Sequence, residues 1–126
     1  MNGESASMES LGRHGERLAA AHLEARGCRV IARNWRAGRL EVDLVVREGA
    51  VIAFVEVKTR RPGPQHPSEA VDRRKRAHLV RAAGRWIATR PEPAGEYRFD
   101  VVTVVVDGGG RARVRHQRDA FTAEDA

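Results

Sequence analysis

Two runs of this chain are apolar enough to decide where they can lie. Residues 40–47 contain Val42, Leu44, Val45 and Val46, and residues 50–58 contain Val51, Ile52, Phe54, Val55 and Val57. Runs this rich in β-branched residues are those of strands buried on both faces. Glu48-Gly49 between them is a two-residue turn signal, so the pair reads as a hairpin. A sheet covered on both faces needs helices on both, and the chain offers two. Residues 7–27 predict an amphipathic helix with Leu11, Gly15, Leu18, Ala19, His22 and Ala25 on one face and Gly27 as its stop. Ser68 can cap a second helix running to about Thr89, ahead of Pro91. Residues 28–35 form a further strand ahead of a basic turn at 36–39, and residues 97–106 and 111–116 a closing hairpin around Asp107 and three glycines. The order α-β-β-β-α-β-β predicts an α/β fold, a mixed central β-sheet flanked by helices.

At 126 residues the chain fits one domain able to bury about two thirds of its unfolded surface. With 32% charged and 41% hydrophobic residues it has the balance of a folded, water-soluble protein. The longest purely apolar run, 50–55, falls far below the ~20 residues of a membrane helix. No apolar stretch precedes Gly12, so the expectation is a cytoplasmic protein without a secretory signal or a membrane partner. Cys28 is the only cysteine, which excludes an internal disulfide and a cysteine-built zinc site. The five histidines show no pair at metal-ligand spacing. With so few aromatics, Trp35 and Trp86 are expected in the core.

Charge is unevenly placed. Residues 58–90 hold ten basic groups against Glu69 and Asp72, a local net of +8 within a chain of net +6. A basic segment on a near-neutral body is the electrostatic footprint expected for a polyanion partner, and also that of a solvated arginine-rich helix. Only two of the 23 basic residues are lysines, Lys58 and Lys75. An ammonium can lose a proton or orient a water in ways a guanidinium cannot, which singles these two out.

The strongest functional signal lies inside the apolar hairpin. Alternation places Glu41 and Asp43 on one face of the first strand, and Glu56 and Lys58 on one face of the second. A two-residue turn at Glu48-Gly49 sets Glu41 opposite Glu56 and Asp43 diagonal to it, within reach of a shared ion. Charges in such strands are costly unless paired, and clustered carboxylates raise one another's pKa unless a cation sits between them. Two strand carboxylates suit Mg²⁺, which keeps waters and takes substrate phosphates as further ligands. The plainer alternative is an Asp43–Lys58 or Glu56–Lys58 ion pair at a sheet edge.

The run Leu40-Glu41-Val42-Asp43-Leu44-Val45, with Phe54-Val55-Glu56-Val57-Lys58-Thr59-Arg60, resembles the YraN-like family of uncharacterised bacterial proteins. That family is placed in the PD-(D/E)XK nuclease superfamily, near the archaeal Holliday-junction resolvases. Gly15-Glu16, Arg33-Asn34, Lys75 and Arg98-Phe99-Asp100-Val101-Val102 are similar to the same family, and the likeness spans about residues 12–121. It implies a restriction-endonuclease-like fold over residues 9–121, with tails at 1–8 and 122–126. It further implies metal ligands at Asp43 and Glu56, a catalytic lysine at Lys58 and a helix carboxylate at Glu16. Val42 stands where the superfamily has proline, and Leu40 where this family has glycine.

The expectation is thus an endonuclease hydrolysing DNA phosphodiesters with Mg²⁺, or Mn²⁺ in its place, and selecting branched or flapped structures. Arg60, Arg61, Arg73, Arg74, Lys75 and Arg76 would contact phosphates, and a homodimer would suit junction cleavage. Two alternatives remain open at this point. One is an inactive nucleic-acid-binding module of the same fold. The other is a basic helix that docks on an acidic protein or ribosomal RNA without using the carboxylates. Asp100 is left outside the site as a structural residue.

Overall fold

The two apolar runs lie at the middle of one five-stranded sheet. The computed structural model describes residues 4–64, 72–89 and 94–125. The strands are β1 (Arg29–Ala37), β2 (Leu40–Glu48), β3 (Val51–Arg60), β4 (Glu96–Val106) and β5 (Ala112–Phe121), and they lie side by side in chain order. All neighbours are antiparallel except β3 and β4, which are parallel. A parallel pair needs a crossover, supplied by helix α2 (Arg73–Thr89). Helix α1 (Glu4–Ala25) covers the opposite face, and a short 3-10 turn, Ala123–Asp125, ends the described chain. The α/β class and the element order agree with the sequence expectation.

Each face has its own core. Ala19, Ala20 and Leu23 of α1 pack with Leu44, Val46, Ala53, Val55, Val102 and Val104. On the other side Leu79, Ala82, Ala83 and Trp86 of α2 pack with Val42, Val45, Ile52 and Phe54. Each large apolar side chain buried in this way contributes about 1.5–3 kcal/mol. Trp35 meets Trp86 edge to face at 5.3 Å, so both tryptophans serve the second core.

Several boundaries differ from those read in the sequence. α1 begins at Glu4 rather than at residue 7 and buries Gly15, Ala19, Ala20 and Leu23, while Ala25 is exposed. The α2 cap expected at Ser68 lies outside the described residues. Asp72 caps the helix instead, its Oδ1 accepting from the Lys75 N–H at 2.9 Å. β5 runs on past residue 116 to Phe121 through an irregularity where Asp119 takes a left-handed φ of 52°. The hairpin turn sits one residue later than expected. Glu48 pairs with Val51, which leaves Gly49 (φ 61°) and Ala50 as the turn. A one-residue move of an antiparallel turn slides the register by two and keeps every side chain on its face.

Candidate active site

The sliding register brings the two carboxylates closer than the sequence suggested. Pairing of β2 with β3 runs from Glu48↔Val51 to Leu44↔Val55. Continued by one rung, it sets Asp43 directly across from Glu56 rather than diagonal to it. The backbone ladder stops there. In its place the Asp43 carboxylate takes the Val57 N–H at 2.8 Å, a side chain standing in for a strand partner.

On its other edge β2 is irregular at the same position. Arg33 pairs with Leu44 and Trp35 with Val42, while the intervening Asn34 and Asp43 do not pair because Asn34 is left-handed, φ 49°. Asparagine is among the few residues that tolerate this backbone. Val42 joins the α2-side core and Leu44 the α1-side core, so strict alternation is broken across Asp43. That break turns the Asp43 carboxylate to the rim of β3 next to the Glu56 side chain.

An open cleft of about 390 Å³ lies over these groups, lined by Glu41, Asp43, Glu56, Arg74, Lys75, His78 and Arg81. Residues 74, 78 and 81 follow helical spacing and present one face of α2 to the strand carboxylates. Lys75 Nζ is 3.9 Å from Glu56 Oε2, and the lysine side chain is 58% exposed, so solvent weakens this pair. His78 Nε2 accepts the Glu41 N–H at 3.2 Å, which places its proton on Nδ1 and fixes α2 against the start of β2. Lys58 follows Glu56 on the same face, only 9% exposed, and its positive charge lowers the Glu56 pKa. Both lysines of the chain therefore act on Glu56.

The electrostatics are those of carboxylates without enough counter-charge. Burial, then the nearby Glu56, pushes Asp43 up to about 7, against the Val57 hydrogen bond that lowers it. Glu56 is raised as well, by burial and then against the pull of Lys75, with Glu41 adding to the rise.

Glu16 does not line this cleft. It borders a smaller neighbouring pocket of about 170 Å³ with Arg13, Arg17, Arg33 and Asn34, on the α1 side of β2. Its charge still reaches Asp43 and helps to raise it. The helix lies close here because residue 15 is glycine, where a Cβ would collide with the Thr59 side chain. Of the arginines expected at phosphates, Arg74 joins the cleft with Lys75. Arg73 is exposed at the helix start, Arg76 is half-buried, and Arg60 and Arg61 lie at the end of β3. Sequence reasoning missed His78 and Arg81, although their i+4 and i+7 spacing from Arg74 carried the signal.

Asp100 lies on the α1 side of β4, fully buried. It accepts from Arg98 at 2.8 and 2.9 Å and from the Asp119 N–H at 3.0 Å, with His116 Nε2 at 2.8 Å. Arg98 and Arg118 then close on Glu48. This network ties β2, β4 and β5 together away from the cleft.

Fold and cleft define an α/β protein with helices on both faces of a five-stranded mixed sheet and a carboxylate cleft rimmed by cations. The chain belongs to a bacterial family so far described as Uncharacterised protein family UPF0102, whose profile matches residues 15–104. Similar proteins include a UPF0102 protein of Beutenbergia cavernae, 49% identical over 87% of this chain and 94% of its own length. Another, from Parafrankia sp., is 46% identical over 90% of this chain and 97% of its own. A third, from Nocardia farcinica, is 44% identical over 90% of each. Among the described residues no helix is long and apolar enough to cross a membrane.

Proposed function

We propose that this protein is a Mg²⁺-dependent endonuclease of the PD-(D/E)XK superfamily, with a restriction-endonuclease-like fold, acting on DNA phosphodiesters of branched or flapped structures. The observation that carries the reading is the apposition of Asp43 and Glu56 where the β2–β3 ladder ends, both held toward their protonated forms. A fold gains nothing in stability by setting two half-buried carboxylates against each other, and a cation between them removes the repulsion.

The donor set suits a hard cation that keeps much of its water. The apposed donors of Asp43 and Glu56 are carboxylate oxygens, the ligands that hard cations take. Two carboxylates opening on a cleft are what Mg²⁺ commonly uses, with Mn²⁺ able to replace it. When bound, the ion supplies positive charge to the attacking and leaving oxygens of a phosphodiester.

The remaining work falls to side chains in place. Lys58, held beside Glu56, can orient a water or neutralise charge developing on the phosphate. Glu16 flanks Asp43 from the α1 side. Arg74, Lys75 and Arg81 give the cleft its phosphate-binding rim, which sets affinity without reading sequence. Phosphate contacts of this kind favour selection by the shape of the substrate rather than by its sequence.

The test is cleavage of flapped and four-way-junction DNA in Mg²⁺ and Mn²⁺ by the natural chain, Asp43→Asn and Glu56→Gln. Metal-dependent nicking that both variants lose while still binding DNA supports the reading. Salt-sensitive binding without cleavage in either metal points to the inactive module, which the cationic α2 face favours on its own.

A further inference from the structure

The α2-side face of the sheet continues past the cleft onto β4 and β5, while α2 itself packs over β1, β2 and β3. Register extends the cleft outward in rungs. Lys58 pairs with Thr103 and Thr103 with Arg115; Arg60 pairs with Val105 and Val105 with Arg113. Alternation keeps these side chains on the face that carries Glu56. At about 4.8 Å per strand, Arg113 and Arg115 stand about 10 Å across the sheet from Arg60 and Lys58.

Both β5 arginines are exposed, and neither forms an ion pair or side-chain hydrogen bond with a described residue. The arginines of β4 and β5 on the opposite face behave differently. Arg98 and Arg118 are bound to Glu48, and Arg98 to Asp100 as well. β5 thus carries one neutralised guanidinium, Arg118, on one side and two unneutralised ones, Arg113 and Arg115, on the other. A hollow of about 670 Å³ beside Arg113 is also lined by Pro62, Val105, Arg111 and Asp107. The Asp107 carboxylate there is occupied by the N–H groups of Gly109 and Arg111, at 2.9 Å each.

We propose that the outer face of β5 is a second phosphate-binding surface, on which the nucleic acid engaged at Asp43 and Glu56 continues and is held by Arg113 and Arg115. The inference rests on the nuclease reading and deepens it. A strand gripped by α2 on one side of the carboxylates and by β5 on the other is engaged at an internal phosphodiester. From β2 to β5 is three strand spacings, about 14 Å, or about four steps of 3.4 Å along one nucleic-acid strand. The substrate therefore needs an arm of about four nucleotides on the β5 side of the scissile bond.

The experiment compares binding of flapped duplex DNA by the natural chain, by Arg113→Gln/Arg115→Gln and by Arg74→Gln/Lys75→Gln, from about 50 to about 200 mM salt. Loss of two phosphate contacts lowers the slope of log K against log salt by about two. The β5 variant should show that loss with an unchanged melting temperature, because both side chains are exposed and unpaired. Trimming the duplex arms below about four base pairs should weaken the natural chain and leave the β5 variant unaffected. A β5 variant with the natural slope, while the α2 variant has lost affinity, overturns this surface and leaves the nuclease reading standing. Absence of DNA binding by the natural chain overturns both.

Discussion

Replacing Asp43 by asparagine should stabilise the metal-free protein, and should do so only where the carboxylate would be charged. In the folded chain Asp43 titrates at about 7, against 3.8 for a free aspartate, with burial and Glu56 as the leading causes. An acid whose folded pKa is raised lowers stability as pH climbs from its unfolded value to its folded one. The cost is absent below about pH 4, grows through that window, and is complete above about pH 7. Three units correspond to about 4 kcal/mol; screening by water in the open cleft reduces the expected gain to about 2 kcal/mol. Asparagine keeps an oxygen for the Val57 N–H, so the substitution removes the charge and retains the hydrogen bond. Thermal unfolding in chelator should show Asp43→Asn melting about 10 °C above the natural chain at pH 8, with the difference gone at pH 4. Metal adds a second arm. An ion present at about ten times its dissociation constant stabilises the native state by about 1.4 kcal/mol, and the variant should lose most of that response. A variant less stable than the natural chain at pH 8, or a gain that persists at pH 4, would refute the repulsion argument and restore the ion-pair alternative for Asp43.

Other perturbations test the supports of the site. Gly15→Ala drives a methyl group into Thr59 and should cost about 1–3 kcal/mol in urea unfolding, together with a weaker metal response if α1 holds Glu16 near Asp43. Asn34→Val places a β-branched residue at φ 49° and should cost about 1–2 kcal/mol, whereas Asn34→Gly should melt close to the natural chain. Asp100→Ala leaves Arg98 short of a buried partner and should cost about 3 kcal/mol or more, measured by denaturant unfolding. Asp72→Ala removes the α2 cap and should cost about 1 kcal/mol.

The parts of the fold that could be read from sequence are those set by local periodicity. The double-sided burial of β2 and β3 followed from their β-branched runs, and the helices from apolar spacing. Placing the turn at Glu48-Gly49 instead of Gly49-Ala50 moved the register by two, an error period-two alternation cannot detect because it preserves every face. The break in alternation at Asp43 was equally invisible, because Val42 and Leu44 are both apolar and either could face either core. Asp72 is as competent a capping residue type as serine, so the start of α2 at Arg73 was not legible from residue type alone. Arg118 reaching Glu48 depends on three strand registers at once, which no local pattern encodes. The phase of α2 was within reach, since residues 74, 78 and 81 share a face on any helical wheel. That this face lies over the strand carboxylates is set by tertiary packing, which the helix pattern alone does not encode.

Asp43 and Glu56 break the rule that buried strands carry no charge, and Asp100 breaks the same rule on β4. Burial alone does not separate the two cases. Burial acts to raise Asp100 too, yet hydrogen bonds from His116, Arg98 and the Asp119 N–H hold its pKa below the ordinary aspartate value. Asp43, two strands away, is raised because its nearest strong influence after burial is another carboxylate. One buried aspartate has its counter-charge built in by Arg98 and a further hydrogen bond from His116, and binds the sheet together. The other has an acid opposite it and a cleft above it, so the charge that would satisfy it has to come from solution. Opposite shifts on the same residue type within one sheet separate a brace from a candidate ligand, and they give the Asp43–Glu56 pair its claim to function.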